Sequence, residues 1–266
     1  MKKTVLVVAL LLGIALFMTA TVSAGPAMDR IVKTGELVIG TSGAQPPLTA
    51  VTKKGEIIGL DADIARAMAD AFGVKVKFKI LPFADLLPAL EAGQVDMILS
   101  SMTITPTRNR KVVFVGPYLV SGKGILTLLD RYAALQQATG LNAPEVSIAA
   151  LKNSTSQQYA EALMSKAKLI TTGSYDAAID LLLKKKVDVI VADYPFCALT
   201  AYRHQDKGLL AGKAPLSFEP LGIAMPEDTL LVNWVQNFLI LLQGSGELQD
   251  MHKKWLTGGK WVDELP

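Results

Sequence analysis

The run Ser100-Ser101-Met102-Thr103-Ile104-Thr105-Pro106-Thr107-Arg108 gathers hydroxyls and a guanidinium within a few residues. Ser101 and Thr103 can hydrogen-bond an anion, and Arg108 carries the planar fork that clasps a carboxylate at two points. A small acid is the guest such a set would hold. The preceding run, Val95-Asp96-Met97-Ile98-Leu99, is apolar and turns abruptly polar. That is the pattern of a buried strand reaching the end of its sheet, where open α/β sheets bind ligands. A second stretch, Val187-Asp188-Val189-Ile190-Val191-Ala192-Asp193, repeats this pattern after a helix and a turn. Superposing the two Val-Asp pairs sets Asp193 opposite Ser101. Two such lobes facing each other would aim hydroxyls and Arg108 from one side and a carboxylate from the other, a clamp for a zwitterion shielded from water. Each feature alone has a plainer reading: most arginines are solvated, repeated βα units need share no function, and Asp193 ahead of Pro195 could cap a helix.

The elements around these residues read as alternating strands and helices. Glu36 to Gly40 is a strand followed by a polar turn from Thr41 to Pro47, and Asp61 to Phe72 is an amphipathic helix closed by Gly73. Val74 to Ile80 alternates as a half-exposed strand, and Phe83 to Gly93 is a shorter helix leading into the central run. This βαβαβ order implies a mostly parallel sheet with helices on its faces. Val112 to Val115 leaves that unit. A second unit then follows: a strand at Val146 to Ala150, the polar turn Lys152 to Ser156 capping a helix through Ala167, and another helix from Tyr175 to Leu183. The chain returns through Phe218 to Ala224 and ends in two helices, on which Trp234, Phe238 and Trp255 have core spacing.

The chain has 266 residues, a formal charge of +3 and one cysteine. Lys2-Lys3, the apolar run Val5 to Met18 and the small-residue site Val22-Ser23-Ala24 form an export signal, with cleavage expected after Ala24. Its removal lowers the charge from +3 to +1, a balance that calls for neither nucleic acid nor an anionic membrane. Cys197 can form no disulfide within the chain and reads as a small buried apolar residue. The two histidines lie away from the candidate cleft, so no nucleophilic triad is supported, and neither a metal motif nor a phosphate loop is present. No cofactor is implied.

The Ser100 to Arg108 motif, the Phe114 to Tyr118 segment and the Val187 to Pro195 segment resemble the family 3 extracellular solute-binding proteins, the polar amino-acid receptors of ABC importers. The resemblance runs from Glu36 to Trp255. It implies the two-lobed type II periplasmic-binding-protein fold, α/β throughout, with a mostly parallel, helix-flanked sheet in each lobe and a two-strand hinge. The expected division is residues 1–24 as signal, 25–119 and 219–266 as the first lobe, and 120–218 as the second. It implies that Arg108 grips the α-carboxylate with help from Ser101 and Thr103, and that Asp193 takes the α-ammonium. Ser154, Thr155 and Ser156 would add donors from the second lobe, and Phe83 would cover the ligand. Phe83 could also simply staple a helix start, and the three residues could only cap a helix.

The chain departs from the family pattern. Gln45 stands where many members carry an aromatic, and it could meet a polar side chain or face solvent. Ser42 stands where receptors for cationic side chains often carry Asp. The implied partners are a small amino-acid ligand and the membrane permease of an ABC importer, and the implied state is a periplasmic monomer without enzymatic activity. The enzymatic alternative is a cyclohexadienyl or arogenate dehydratase on the same scaffold, with Asp193 as its acid. A sensor ectodomain is a third class.

Overall fold

The computed structural model describes residues 25–137 and 140–266. The expected export signal, residues 1–24, and its cleavage site lie outside them. Two five-stranded sheets carry the fold. In the first lobe the strands are β1 (Glu36–Thr41), β5 (Lys75–Ile80), β6 (Met97–Ile98), β7 (Val113–Ser121) and β13 (Glu219–Met225), in the order β5-β1-β6-β13-β7. In the second they are β8 (Lys123–Leu128), β9 (Ser147–Leu151), β10 (Lys168–Thr172), β11 (Val189–Asp193) and β12 (Leu209–Ala211), in the order β10-β9-β11-β8-β12. A small antiparallel sheet of β2 (Ala44–Gln45), β3 (Thr49–Val51) and β4 (Ile57–Ile58) sits beside the first.

In each large sheet four strands share one direction and one runs against them: β13 runs against β6 and β7, and β8 against β11 and β12. The sheets are therefore mixed, less parallel than the βαβ order alone suggests. The antiparallel strands are those at which the chain passes between lobes, and a strand entering from outside a βαβ unit is free of the right-handed crossover that keeps its neighbours parallel.

The helices follow local chemistry. Helix α1 (Pro26–Thr34) precedes β1, and α2 (Leu60–Phe72) ends at Gly73, whose left-handed backbone lets its N–H reach the carbonyls of Ala69 and Asp70. Helix α3 (Phe83–Glu91) packs on β1 and β6. In the second lobe α4 (Leu129–Gln137), α5 (Thr155–Leu163), α6 (Tyr175–Leu183) and α7 (Tyr194–Arg203) cover the sheet. Ser154 and Ser174 cap α5 and α6 by accepting the N–H of Gln157 and of Ala177. Helices α8 (Thr229–Gly244) and α9 (Glu247–Leu256) complete the first lobe. Their aromatics are core, as their spacing predicts: Trp234 stacks on Phe72 and Phe238, and Trp255 meets Trp261. Cys197 is buried in the second lobe's core and unpaired.

The two crossings between lobes run side by side. Strand β7 pairs with β13 through Ser121↔Glu219, Val120↔Pro220 and Leu119↔Leu221, and Gly122 alone separates β7 from β8. A Cβ on Gly122 would collide with the Ser217 carbonyl oxygen, so the close approach of the strands requires glycine here.

Candidate functional site

The central run delivers its hydroxyls as the spacing predicts, although only Met97 and Ile98 are strand while Val95 to Thr103 is buried throughout. Ser101 has φ = 54°, a left-handed conformation costing on the order of 1 kcal/mol for a non-glycine residue. Asp61 at the start of α2 holds it there, accepting the Ser101 N–H at 2.8 Å and the Tyr118 hydroxyl at 2.8 Å. Burial pushes the Asp61 carboxyl up to about 7, against the donors that favour its charged form.

Arg108 opens a 3-10 turn, Arg108–Arg110, and is buried. One Nη1 hydrogen goes to the Thr103 carbonyl at 2.8 Å, and the guanidinium carbon lies 5.7 Å from the centre of the Phe83 ring, a cation–π arrangement. Burial lowers the Arg108 pKa, opposed by the charges of Asp193 and Glu219. The guanidinium thus stands behind Phe83, within the electrostatic reach of the opposite lobe's carboxylate. Phe83 packs against buried side chains of both lobes.

Asp193 precedes α7 yet caps nothing. Its Oδ1 accepts from Lys123 Nζ at 2.6 Å, and its Oδ2 accepts from Gln45 Nε2. Lys123 is its neighbour in the β8–β11 ladder and lies 3.4 Å from Glu219 Oε2. Glu219 Oε2 also accepts from Thr103 Oγ1 at 2.8 Å, and Oε1 from Ser217 Oγ at 3.2 Å. Thr103 Oγ1 is in turn 3.2 Å from Thr155 Oγ1. This chain of polar contacts, Gln45–Asp193–Lys123–Glu219–Thr103–Thr155, passes back and forth between the lobes.

These contacts revise one expectation. The Asp193 carboxylate is not left free for a guest: an internal ammonium occupies one of its oxygens. Gln45 faces the other lobe and not solvent. Ser42 donates its N–H to Ser100 Oγ at 2.9 Å, tying the end of β1 to the central run, and does not line the enclosed space. Ser154, Thr155 and Ser156 stand at the N-terminus of α5, Ser154 donating to the Leu151 carbonyl at 2.6 Å while it caps the helix. Ser156 Oγ is buried beside the Tyr175 hydroxyl, with no other partner among the described residues.

The sequence reading missed Lys123, Glu219 and Asp61. A lysine heading the otherwise apolar run Gly124 to Leu129 was the available signal, because a charged group is rarely fully buried without a partner. What remains between the lobes is an enclosed space of about 10 Å³, lined among others by Gln45, Phe83, Ser101, Thr103, Lys123 and Asp193. That is room for about one water molecule. The cleft is shut on its own side chains. A larger crevice, about 890 Å³, lies between α7 and the segment from Trp255 to Asp263 and shares none of these charged groups. Among the described residues no acidic, histidine or cysteine cluster is arranged to hold a metal, and no helix is long and apolar enough to cross a membrane.

Two α/β lobes, joined by paired crossing strands and meeting at a buried polar seam, define a cleft-type ligand-binding protein. The chain belongs to the bacterial extracellular solute-binding proteins, family 3, which it matches over residues 37–258. Among curated relatives, it is 30% identical to the arginine-binding periplasmic protein of Mannheimia haemolytica, over 80% of this chain and 88% of that one. It is 25% identical to the cyclohexadienyl dehydratase of Pseudomonas aeruginosa, over 86% of this chain and 85% of that one. Among solved structures, an ancestral amino-acid-binding protein described as a precursor of cyclohexadienyl dehydratase superposes with a TM-score of 0.81 at 33% identity, covering 86% of this chain and 99% of its own. A binding component of an ABC transporter from Wolinella succinogenes, complexed with lysine, gives a TM-score of 0.80 at 31% identity, with coverage of 86% and 99%. The family makes this a solute-binding protein.

Proposed function

We propose that the chain is an exported receptor that captures a small amino acid between its lobes and presents it to the permease of an ABC importer. The observation that carries this reading is Arg108, a buried guanidinium with most of its N–H donors uncommitted among the described residues. It does not itself line the closed space but stands behind Phe83, next to the Thr103 carbonyl, where Phe83, Ser101 and Thr103 do line it. A buried arginine so placed is suited to a bidentate carboxylate. The α-carboxylate would lie on Arg108, and the α-ammonium would reach Asp193 in exchange for Lys123. Capture requires the lobes to part about the β7–β13 crossing, since the closed space is too small for any amino acid. The test is a thermal-shift screen of the chain lacking residues 1–24 against the common amino acids. A cognate ligand should raise the melting temperature in a concentration-dependent way, and no shift with any of them would overturn the reading.

A dehydratase reading has the resemblance to the Pseudomonas enzyme in its favour. It would need a carboxylic acid positioned to donate a proton into the cleft. Asp193 is engaged as an acceptor on both oxygens, and Asp61 lies beneath Ser101 with its oxygens taken by Ser101 and Tyr118. Asp61, raised to about 7, can hold a proton but does not line the enclosed space, and Asp193, which does line it, has both oxygens on donors. Incubation with prephenate or arogenate, followed by absorbance of the aromatic product, decides this second reading.

A further inference from the structure

The donor and acceptor groups of the closed seam are unequally committed. Among the described residues, Asp193 accepts on both oxygens, and Glu219 accepts Thr103 on the oxygen that lies 3.4 Å from the Lys123 ammonium and Ser217 on the other. The donors have capacity to spare. Lys123 has three N–H groups and directs them at two carboxylates; Arg108 has five and gives one to the Thr103 carbonyl. Ser156 Oγ, in the first turn of the nine-residue helix α5, is buried beside the Tyr175 hydroxyl with no other partner among the described residues. A guest entering this seam therefore meets unused donors on nearly every side, whereas a guest ammonium finds no carboxylate without an ammonium or amide already on it.

The Asp193 carboxylate is also satisfied without a guest cation, because the Lys123 ammonium lies 2.6 Å from it. A free aspartate would make the guest's ammonium obligatory, since a buried, uncompensated carboxylate is strongly unfavourable. Here Lys123 removes that obligation. Its backbone is held in place from both sides, because its N–H donates to Ser217 Oγ at 2.9 Å, its carbonyl accepts from Leu216 at 2.7 Å, and Asp193 is its ladder neighbour.

From this we infer that Lys123 is a specificity-determining residue that lets the cleft hold 2-oxo acids as well as amino acids. A 2-oxo acid places its carboxylate on Arg108 and its keto oxygen on the spare N–H of Lys123, which stays on Asp193. An amino acid must instead displace Lys123 from Asp193 and leave it on Glu219. The inference rests on the receptor reading above and adds a second class of ligand to the same site.

The experiment is calorimetric titration of the chain lacking residues 1–24 with matched pairs that differ only at the α-position: pyruvate and L-alanine, 4-methyl-2-oxovalerate and L-leucine, 2-oxoglutarate and L-glutamate. In at least one pair the oxo acid should bind within about tenfold of its amino acid. The variant K123Q/E219Q removes one cation and one carboxylate together, so the charge balance that supports folding is kept. In it, the oxo acid should weaken at least about tenfold relative to its amino acid. An amino acid that binds while its oxo partner is weaker by more than tenfold in every pair overturns the inference and leaves the receptor reading standing. Equal losses for both members of a pair in the variant, measured on folded protein, likewise overturn it. Absence of binding by every oxo acid overturns the inference, and absence of a thermal shift with any common amino acid as well overturns the receptor reading with it.

Discussion

Asp96 and Asp188 hold equivalent posts in the two lobes. Each stands at the entry to its central parallel strand, accepts a backbone N–H from the neighbouring strand, and is paired with an arginine from outside the sheet. Asp96 takes the Val38 N–H at 2.7 Å and Arg30, and Asp188 takes the Ser147 N–H at 2.9 Å and Arg131. The carboxylates fix where β6 and β11 begin, and so where Ser101 and Asp193 emerge at the other end.

Replacing either aspartate with alanine leaves a strand N–H and an arginine without their acceptor, at a cost of about 1–3 kcal/mol each. The two sites lie in separate lobes and share no partner, so the losses in the double variant should add to within about 0.5 kcal/mol. Urea unfolding of the two single variants and the double variant measures this. A loss in the double variant well beyond the sum would mean that the lobes do not hold their strands independently.

That correspondence is also what made half of the site legible in the sequence. The Val-Asp echo located both central strands and, by superposition, Asp193 across from Ser101, because strand length and carboxylate placement are local properties. Cys197 was readable for the same kind of reason: it sits in an apolar run, and burial pushes its thiol well above the ordinary range. Lys123 and Glu219 were not readable. Their meaning comes from two strands far apart in the chain, β8 and β13, arriving beside β11 and the crossing, and no local pattern encodes that meeting. The antiparallel courses of β13 and β8 escaped notice for the same reason. Gln45 lay on a turn with two open readings, and only the opposite lobe's carboxylate decides between them.

Asp61 makes stability fall as the pH rises toward neutrality. Its carboxyl, ordinarily near 3.8, is raised to about 7 by burial, so between these values the folded chain holds a proton that the unfolded chain has released. The stabilisation is fully present below the lower value and is lost as the pH climbs through the upper one. The span corresponds to a few kcal/mol. Melting temperatures of wild type and Asp61→Asn from pH 5 to 8 should diverge in slope, the wild type declining relative to the variant. Parallel curves would mean that Asp61 titrates at its ordinary value.

Gly122 should tolerate no side chain. A Cβ there would run into the Ser217 carbonyl oxygen and lie 2.6 Å from Pro215 Cβ, and Gly122 itself accepts the N–H of Tyr194 at the start of α7. Gly122→Ala must push the 215–217 segment away from β8, which also withdraws the Ser217 hydroxyl from the Lys123 N–H. The expected result is a loss of about 2 kcal/mol or more in stability, with weakened ligand binding in whatever folded protein remains. Gly173, with open space around its Cβ position, is the control, and alanine there should be neutral within about 0.5 kcal/mol.

Arg108 should be dispensable for folding and indispensable for binding. In the ligand-free protein its charge is largely out of water, held by the Thr103 carbonyl and the Phe83 face, an arrangement in which the cost of desolvation is only partly offset. Methionine fills similar space without that cost. Arg108→Met should therefore melt within a few degrees of wild type, or above it. The same change removes the bidentate partner of a carboxylate, so affinity for any acid that the wild type binds should fall about 100-fold or more. Arg108→Lys separates charge from geometry: a point charge without the planar fork should recover only part of the loss. Melting curves with and without ligand read both quantities from one set of samples. A variant that melted far below wild type yet kept the full ligand-induced rise would make Arg108 a structural residue and move the carboxylate site elsewhere.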